Sequence, residues 1–193
     1  MQDRQIRFTD ATQFRAGEAD GTPYIEGYFV VYDSDYVLWP GATESIARGA
    51  FDGQLDGDIR ALINHDTTLV TGRTKSGTLR LEDRQDGLWG HIDINPRDVD
   101  AMNVHARVMR GDVDQASFGF DIIDEEKTEN LDGTVHWTIK AVKLYEVSIC
   151  TFPAYQATSL SARAAERAQM EVKRSIDHLK AELKARIKKC SNN

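Results

Sequence analysis

The run Gln115-Ala116-Ser117-Phe118-Gly119-Phe120-Asp121 constrains this chain more than any other. With the period of two that a β-strand imposes, Ala116, Phe118, Phe120 and Ile122 share one face, and Ser117, Gly119 and Asp121 share the other. A strand that sinks two phenylalanines into a core therefore lifts one hydroxyl to the opposite side, with a glycine clearing space beside it. A serine nucleophile needs that rigid support, together with an open approach for a substrate backbone. The same pattern also describes a small polar residue on the exposed face of an ordinary strand, so the decision lies elsewhere in the chain.

Turn signals cut the chain into many short strands. Residues 1–20 read as an edge strand or loose chain. Asp20-Gly21-Thr22-Pro23 is a turn, and Tyr24 to Tyr32 is a buried strand rich in β-branched and aromatic residues. A loop runs through Trp39-Pro40-Gly41, and Glu44 to Phe51 reads as a short helical turn. Ile59 to Asn64 is a strand ending at Asn64-His65-Asp66. A hairpin follows, with Thr78 to Glu82 outgoing and Leu88 to Ile94 returning around Asp86-Gly87, which places Leu88, Ile92 and Ile94 inward. Asp98 caps a helix whose apolar stripe is Val99, Met102, Ala106 and Met109, and Gly111 ends it. His105 beside that stripe reads as a surface histidine. After the serine strand come Thr134 to Ile139 and a long strand from Ala141 to Thr151, stopped by Phe152-Pro153-Ala154-Tyr155.

A chain of 193 residues holds one good core, or one domain plus an appendage. Hydrophobic residues at 40% and charged residues at 28% fit a soluble globular protein. No apolar run has the length of a membrane span, and no basic-then-apolar signal opens the chain. Two distant cysteines, Cys150 and Cys190, argue against a disulfide framework or a structural zinc site and fit a reducing, intracellular setting. Between Arg163 and Cys190, nine Lys or Arg stand against four Asp or Glu; this local +5 leaves −12 on the rest of a chain whose formal charge is −7. The main body is thus too acidic to bind nucleic acid through its surface. In the basic end, Val172, Ile176, Leu179, Leu183 and Ile187 recur at helical spacing, as one narrow apolar stripe. The expected organisation is a domain over 1–160 and a basic amphipathic helical tail over 161–193.

Several short pieces occur together and in order. They are Ile25-Glu26-Gly27-Tyr28, Gly49-Ala50-Phe51, Asn64-His65-Asp66, Gly72-Arg73-Thr74 with Gly77-Thr78-Leu79, Ser117-Phe118-Gly119-Phe120, and Glu146-Val147-Ser148 with Pro153-Ala154-Tyr155. In this the chain resembles the head-maturation (prohead) serine proteases of tailed bacteriophages, whose fold is related to the herpesvirus maturational protease. The resemblance implies an α+β fold: a mostly antiparallel β-barrel with a few surrounding helices, and here an added C-terminal amphipathic helix. It implies a serine endopeptidase that trims capsid and scaffold proteins, and itself, within the procapsid in the host cytoplasm. Its implied partners are the major capsid protein with its scaffold segment and a second copy in a homodimer; no cofactor, metal or membrane is implied. The basic tail would dock on scaffold or shell protein and be removed by self-cleavage, or would pack on its own domain or on a second copy.

Carried over by position, Ser117 is the nucleophile and His65 the general base, since a serine hydroxyl reacts only when an imidazole takes its proton. The third member is Glu146, with His136, Asp66 and Asp121 as rivals. Alternation sets Glu146 and Ser148 on the face opposite Tyr145, Val147 and Ile149. A carboxylate inside an apolar strand needs a partner, which is either the imidazole or an arginine such as Arg60 or Arg73. Gly119 and Arg73 are the oxyanion donors considered. A non-enzymatic assembly protein on the same fold is the second reading. A metal-dependent hydrolase is the third, with His65, His91 and His105 lacking ligand spacing.

Overall fold

The computed structural model describes residues 5–9, 14–151 and 164–190. It divides into two compact units, Met1–Ser159 and Leu160–Asn193. In the first unit, eleven strands form two sheets, and no closed barrel joins them among the described residues.

The longer sheet is built on β11 (Val135–Cys150). This strand pairs antiparallel with β10 (Gln115–Glu129) over nearly its whole length. On its other edge it pairs in parallel with β5 (Ala42–Ile46) through Val135 to Ile139, and with β6 (Arg60–Ile63) through Glu146 to Ile149. One long strand thus serves two short ones in succession, and the sheet branches there. The short strands β1 (Gln5–Thr9), β4 (Tyr36–Trp39) and β7 (Asp66–Arg73) pair with β10, β5 and β6 respectively. The second sheet is antiparallel, in the order β2 (Arg15–Ala19), β3 (Thr22–Val31), β9 (Gly87–Asp93), β8 (Leu79–Arg84).

The core joins Phe29, Leu88 and Ile92 of the second sheet to Phe118, Phe120, Val147 and Ile149 of the first. Phe118 and Phe120 stack with ring centroids 4.7 Å apart. The helix α1 (Val99–Arg110) starts where the Asp98 carboxylate accepts from the amides of Asp100 and Ala101, and ends at Gly111, as expected. Its buried face differs from the predicted stripe. Ala101, Val104, His105 and Val108 face the protein, while Val99 and Met109 are exposed. His105 is buried, with Nε2 3.0 Å from the Gly17 carbonyl; a partner on a distant strand outweighs its polarity.

Of the turn read over Glu44 to Phe51, residues 48–51 do form turns, but 44–46 belong to a strand over 42–46, where Glu44 is drawn fully inside to meet Arg7. The Arg7 Nε and Nη2 groups both donate to that carboxylate, the second at 3.0 Å, and both side chains are buried. Residues 134–139 and 141–151 are not two strands but the single β11. The predicted stop at Phe152 to Tyr155 lies outside the described residues. In the second unit, α2 (Ala164–Cys190) carries Val172, Ile176, Leu179 and Leu183 in largely exposed positions. No helix among the described residues is long and apolar enough to cross a membrane.

Candidate active site

His65 owes its position to a turn of exact length. β6 and β7 are joined by Asn64 and His65 alone, with Ile63 opposite Asp66. Both turn residues are left-handed, at φ 52° and 61°, as a type I′ hairpin requires. Glycine is the usual solution there, and a β-carbon in this region is costly. The turn is fastened to the end of β11. The Asn64 amide donates to the Ile149 carbonyl at 3.0 Å, and the Thr151 amide donates to Asn64 Oδ1 at 2.9 Å.

From that turn the imidazole lies along one face of β11. Nδ1 is 2.7 Å from Glu146 Oε1, Nε2 is 3.8 Å from Cys150 Sγ, and the His65 amide donates to Ser148 Oγ at 3.2 Å. The Ser148 hydroxyl donates in turn to Glu146 Oε2 at 2.7 Å. Both carboxylate oxygens of Glu146, a side chain only 3% exposed, are thereby satisfied. Burial, with the Glu146 carboxylate adding to it, pushes the Cys150 thiol up to about 12, so it is a neutral S–H group.

A bulge makes this face possible. Between Phe120 and Gly119 the pairing on β11 jumps from Leu144 to Glu146, leaving Tyr145 as an extra residue. Leu144 belongs to the core, and so do Val147 and Ile149. Were Tyr145 paired regularly, Glu146 would share the face of Leu144 and point into the core. The bulge reverses the alternation and turns Glu146, Ser148 and Cys150 together toward His65.

Ser117 stands directly across from Ser148 on the neighbouring strand, and Gly119 across from Glu146. Cross-strand partners have β-carbons about 5 Å apart, so the serine is one strand from the His65–Glu146 pair. Its surroundings differ from the open approach expected for a hydroxyl on a free face. Ser117 is fully buried, because β1 pairs with β10 from Gln5 to Thr9, and its Oγ donates to the Arg7 carbonyl at 2.8 Å.

The other residues considered for the site are engaged elsewhere. His136 lies between Thr43 Oγ1, 2.8 Å from Nδ1, and Ser45 Oγ, 2.9 Å from Nε2. Asp66 accepts from the Thr68 hydroxyl and amide, which hold its carboxyl below the usual range. Asp121 accepts from the Tyr145 hydroxyl at 2.6 Å. Arg73 makes a two-pronged pair with Asp58 at 2.6 and 2.7 Å, and Arg60 also turns to Asp58. Among the described residues Glu146 accepts from His65 and Ser148, while both arginines turn to Asp58. Gly119 pairs with Ile6 on one side and Glu146 on the other, beside the bulge.

An imidazole at the β6–β7 turn, a carboxylate on β11 and a serine on β10 follow one another across one sheet, and these three residue types are the ones serine hydrolases combine. The profile described as caudovirus prohead serine protease matches residues 10–173. The chain belongs to that family. Among its relatives is the prohead protease of Enterobacteria phage HK97, 28% identical over 141 residues, which are 71% of this chain and 60% of that protein. The chain thus spans less than two thirds of that relative's length. A solved structure, the bacteriophage T4 capsid assembly protease, aligns at 14% identity over 78% of this chain and 99% of its own, with a TM-score of 0.46.

For this prohead serine protease family member, sequence reasoning overlooked Ser148 and Cys150. The signal for Ser148 was present: alternation had already placed it on the face of Glu146. Nothing in the sequence connected Cys150 to His65, since that contact depends on how the turn folds back over β11.

Proposed function

We propose that this chain is a serine endopeptidase in which Ser117 is the nucleophile, His65 the general base and Glu146 the residue that orients His65. The observation that carries the reading is the imidazole held by Glu146 through Nδ1, on a strand whose next neighbour bears Ser117. With Nδ1–H donating to the carboxylate, Nε2 is the ring nitrogen that would accept the serine proton, and the carboxylate stabilises the imidazolium that forms. The Ser117 oxygen attacks the scissile carbonyl carbon. The imidazolium then returns its proton to the leaving amine, and water hydrolyses the acyl-enzyme by the same route.

In the described arrangement the hydroxyl is committed to Arg7, so the enzyme is at rest. Attack requires β1 to release Ser117 and the hydroxyl to turn to Nε2. The substrates proposed are capsid and scaffold proteins of the procapsid, together with the chain itself, within the host cytoplasm. A homodimer is the proposed active form, and the basic α2 is the proposed docking element for scaffold or shell protein.

Mass spectrometry of fragments made from the cognate capsid protein tests the assignment. Wild-type protein should cut at defined bonds, and Ser117→Ala protein, folded to the same extent, should not. Cleavage persisting in that variant would remove Ser117 from the mechanism. An uncut substrate with both proteins would favour the reading as a non-enzymatic assembly protein.

A further inference from the structure

The side of the His65 ring that Glu146 does not hold faces sulfur. Cys150 Sγ is 3.8 Å from Nε2 and the residue is 1% exposed. Tetrahedral zinc, with bonds of about 2.3 Å to sulfur and about 2.0 Å to nitrogen, sets its two donors roughly 3.6 Å apart. The observed spacing needs only a small closure to match that bite. The other ring nitrogen already meets a carboxylate, 2.7 Å away, which is the usual outer partner of a zinc-bound histidine. That carboxylate is itself fixed by the Ser148 hydroxyl, so the donor ring is oriented before any ion arrives.

We propose that Cys150 and His65 form a two-donor site for zinc or a similar thiophilic divalent ion, and that its occupation switches the protein off. On binding, the thiol S–H bond breaks and an S–metal bond forms, with the proton passing to solvent. The Nε2 lone pair becomes a metal bond. Because that same lone pair must accept the proton of Ser117, an occupied site has no general base. Among the described residues no group of three or more His, Cys, Asp or Glu is placed to hold a metal. Water therefore completes the coordination, and the ion is a reversible inhibitor and not a structural zinc. The inhibitory consequence rests on the catalytic reading of His65, whereas the binding itself does not.

The test uses the full chain with Cys190→Ser, so that Cys150 is the remaining thiol. Cadmium chloride is the probe, read by the ultraviolet sulfur-to-cadmium charge-transfer band. One cadmium per chain is expected. Glu146→Gln should weaken binding about 10–100-fold by removing the outer carboxylate. Cys150→Ala and Cys150→Ser, each checked for folding by thermal melting, should abolish the band. Zinc chloride should stop cleavage by the Cys190→Ser protein, and a chelator should restore it. No band in that background, or a band that survives both Cys150 variants, overturns the site. A band together with cleavage indifferent to zinc overturns the switch. A band in a protein that cleaves nothing, with or without metal, upholds the metal site and refutes the protease reading.

Discussion

Nδ1 of His65 lies 2.7 Å from Oε1 of Glu146, joining the tip of a two-residue turn to the middle of the longest strand. Each residue is unfavourable by itself. His65 has the left-handed backbone that glycine normally occupies, and Glu146 is a carboxylate 3% exposed. Local strain and a buried charge persist where the surroundings over-determine them, and here each residue is the partner that holds the other.

Replacing Ser117 by alanine should lower the cleavage rate by roughly 10⁴-fold or more, as loss of a nucleophile does in serine hydrolases. The same change removes one buried hydrogen bond, to the Arg7 carbonyl, at a cost of about 1 kcal/mol. Fragment mass spectrometry reads the first effect and urea denaturation the second. A fold lost altogether would contradict this separation.

Glu146→Gln keeps the shape of the side chain and removes its charge. The imidazole can then adopt the wrong tautomer, and turnover should fall by about 10⁴-fold while substrate affinity stays within a few-fold. Steady-state kinetics on a peptide cut by the wild type would separate the two quantities. An unchanged rate would show that Glu146 serves only the fold.

Glu44→Ala leaves the Arg7 guanidinium buried without its carboxylate. Loss of one member of such a pair should cost about 3–5 kcal/mol. Because Arg7 anchors β1, hydrogen exchange should accelerate first at residues 5–9 and at Ser117, before the rest of β10. Uniform acceleration across both sheets would mean that β1 is not separately anchored.

Gly87 opens β9 at φ +159°, where a β-carbon would fall 1.9 Å from the Val30 carbonyl oxygen. Backbone cannot yield as a flexible side chain can. Gly87→Ala should therefore destabilise the fold by about 1–3 kcal/mol, seen as a lower urea midpoint with an unchanged slope.

Hydrogen bonding from Arg73, aided by the nearby charges of Arg60, Arg73 and Lys75, lowers Asp58 from its ordinary 3.8 to about 2. A depressed carboxyl contributes stability above its unfolded value and loses it as pH falls through the folded one. The Asp58 contribution should thus be complete above about pH 4 and should disappear between there and about pH 2. Thermal melts across that range should be flatter for Asp58→Asn than for the wild type.

The burial of β3, the inward faces of β9 and β10, the Asp98 cap and the Gly111 stop were legible because each depends on near neighbours in the chain. Period-two alternation, a capping carboxylate and a helix-ending glycine act within a few residues. Misreadings arose where a distant partner decided. Residues 42–46 became a strand because Arg7 receives Glu44, and His105 went inside because Gly17 offers a carbonyl. The closed barrel expected from the resemblance is not seen among the described residues, whose strands form two sheets, with β11 pairing β5 and β6 in succession.

By itself the sequence determined that a serine would ride on a buried strand and that an acidic residue would sit in the last strand needing a partner. The family motifs named His65 as the base. Only the tertiary structure decided that Glu146 meets His65 and not Arg60 or Arg73, that β1 covers Ser117, and that Cys150 faces the imidazole. The physical reason is that one extra residue, Tyr145, reverses the facing of everything after it on β11. A bulge depends on how two strands pair, and pairing belongs to the folded chain.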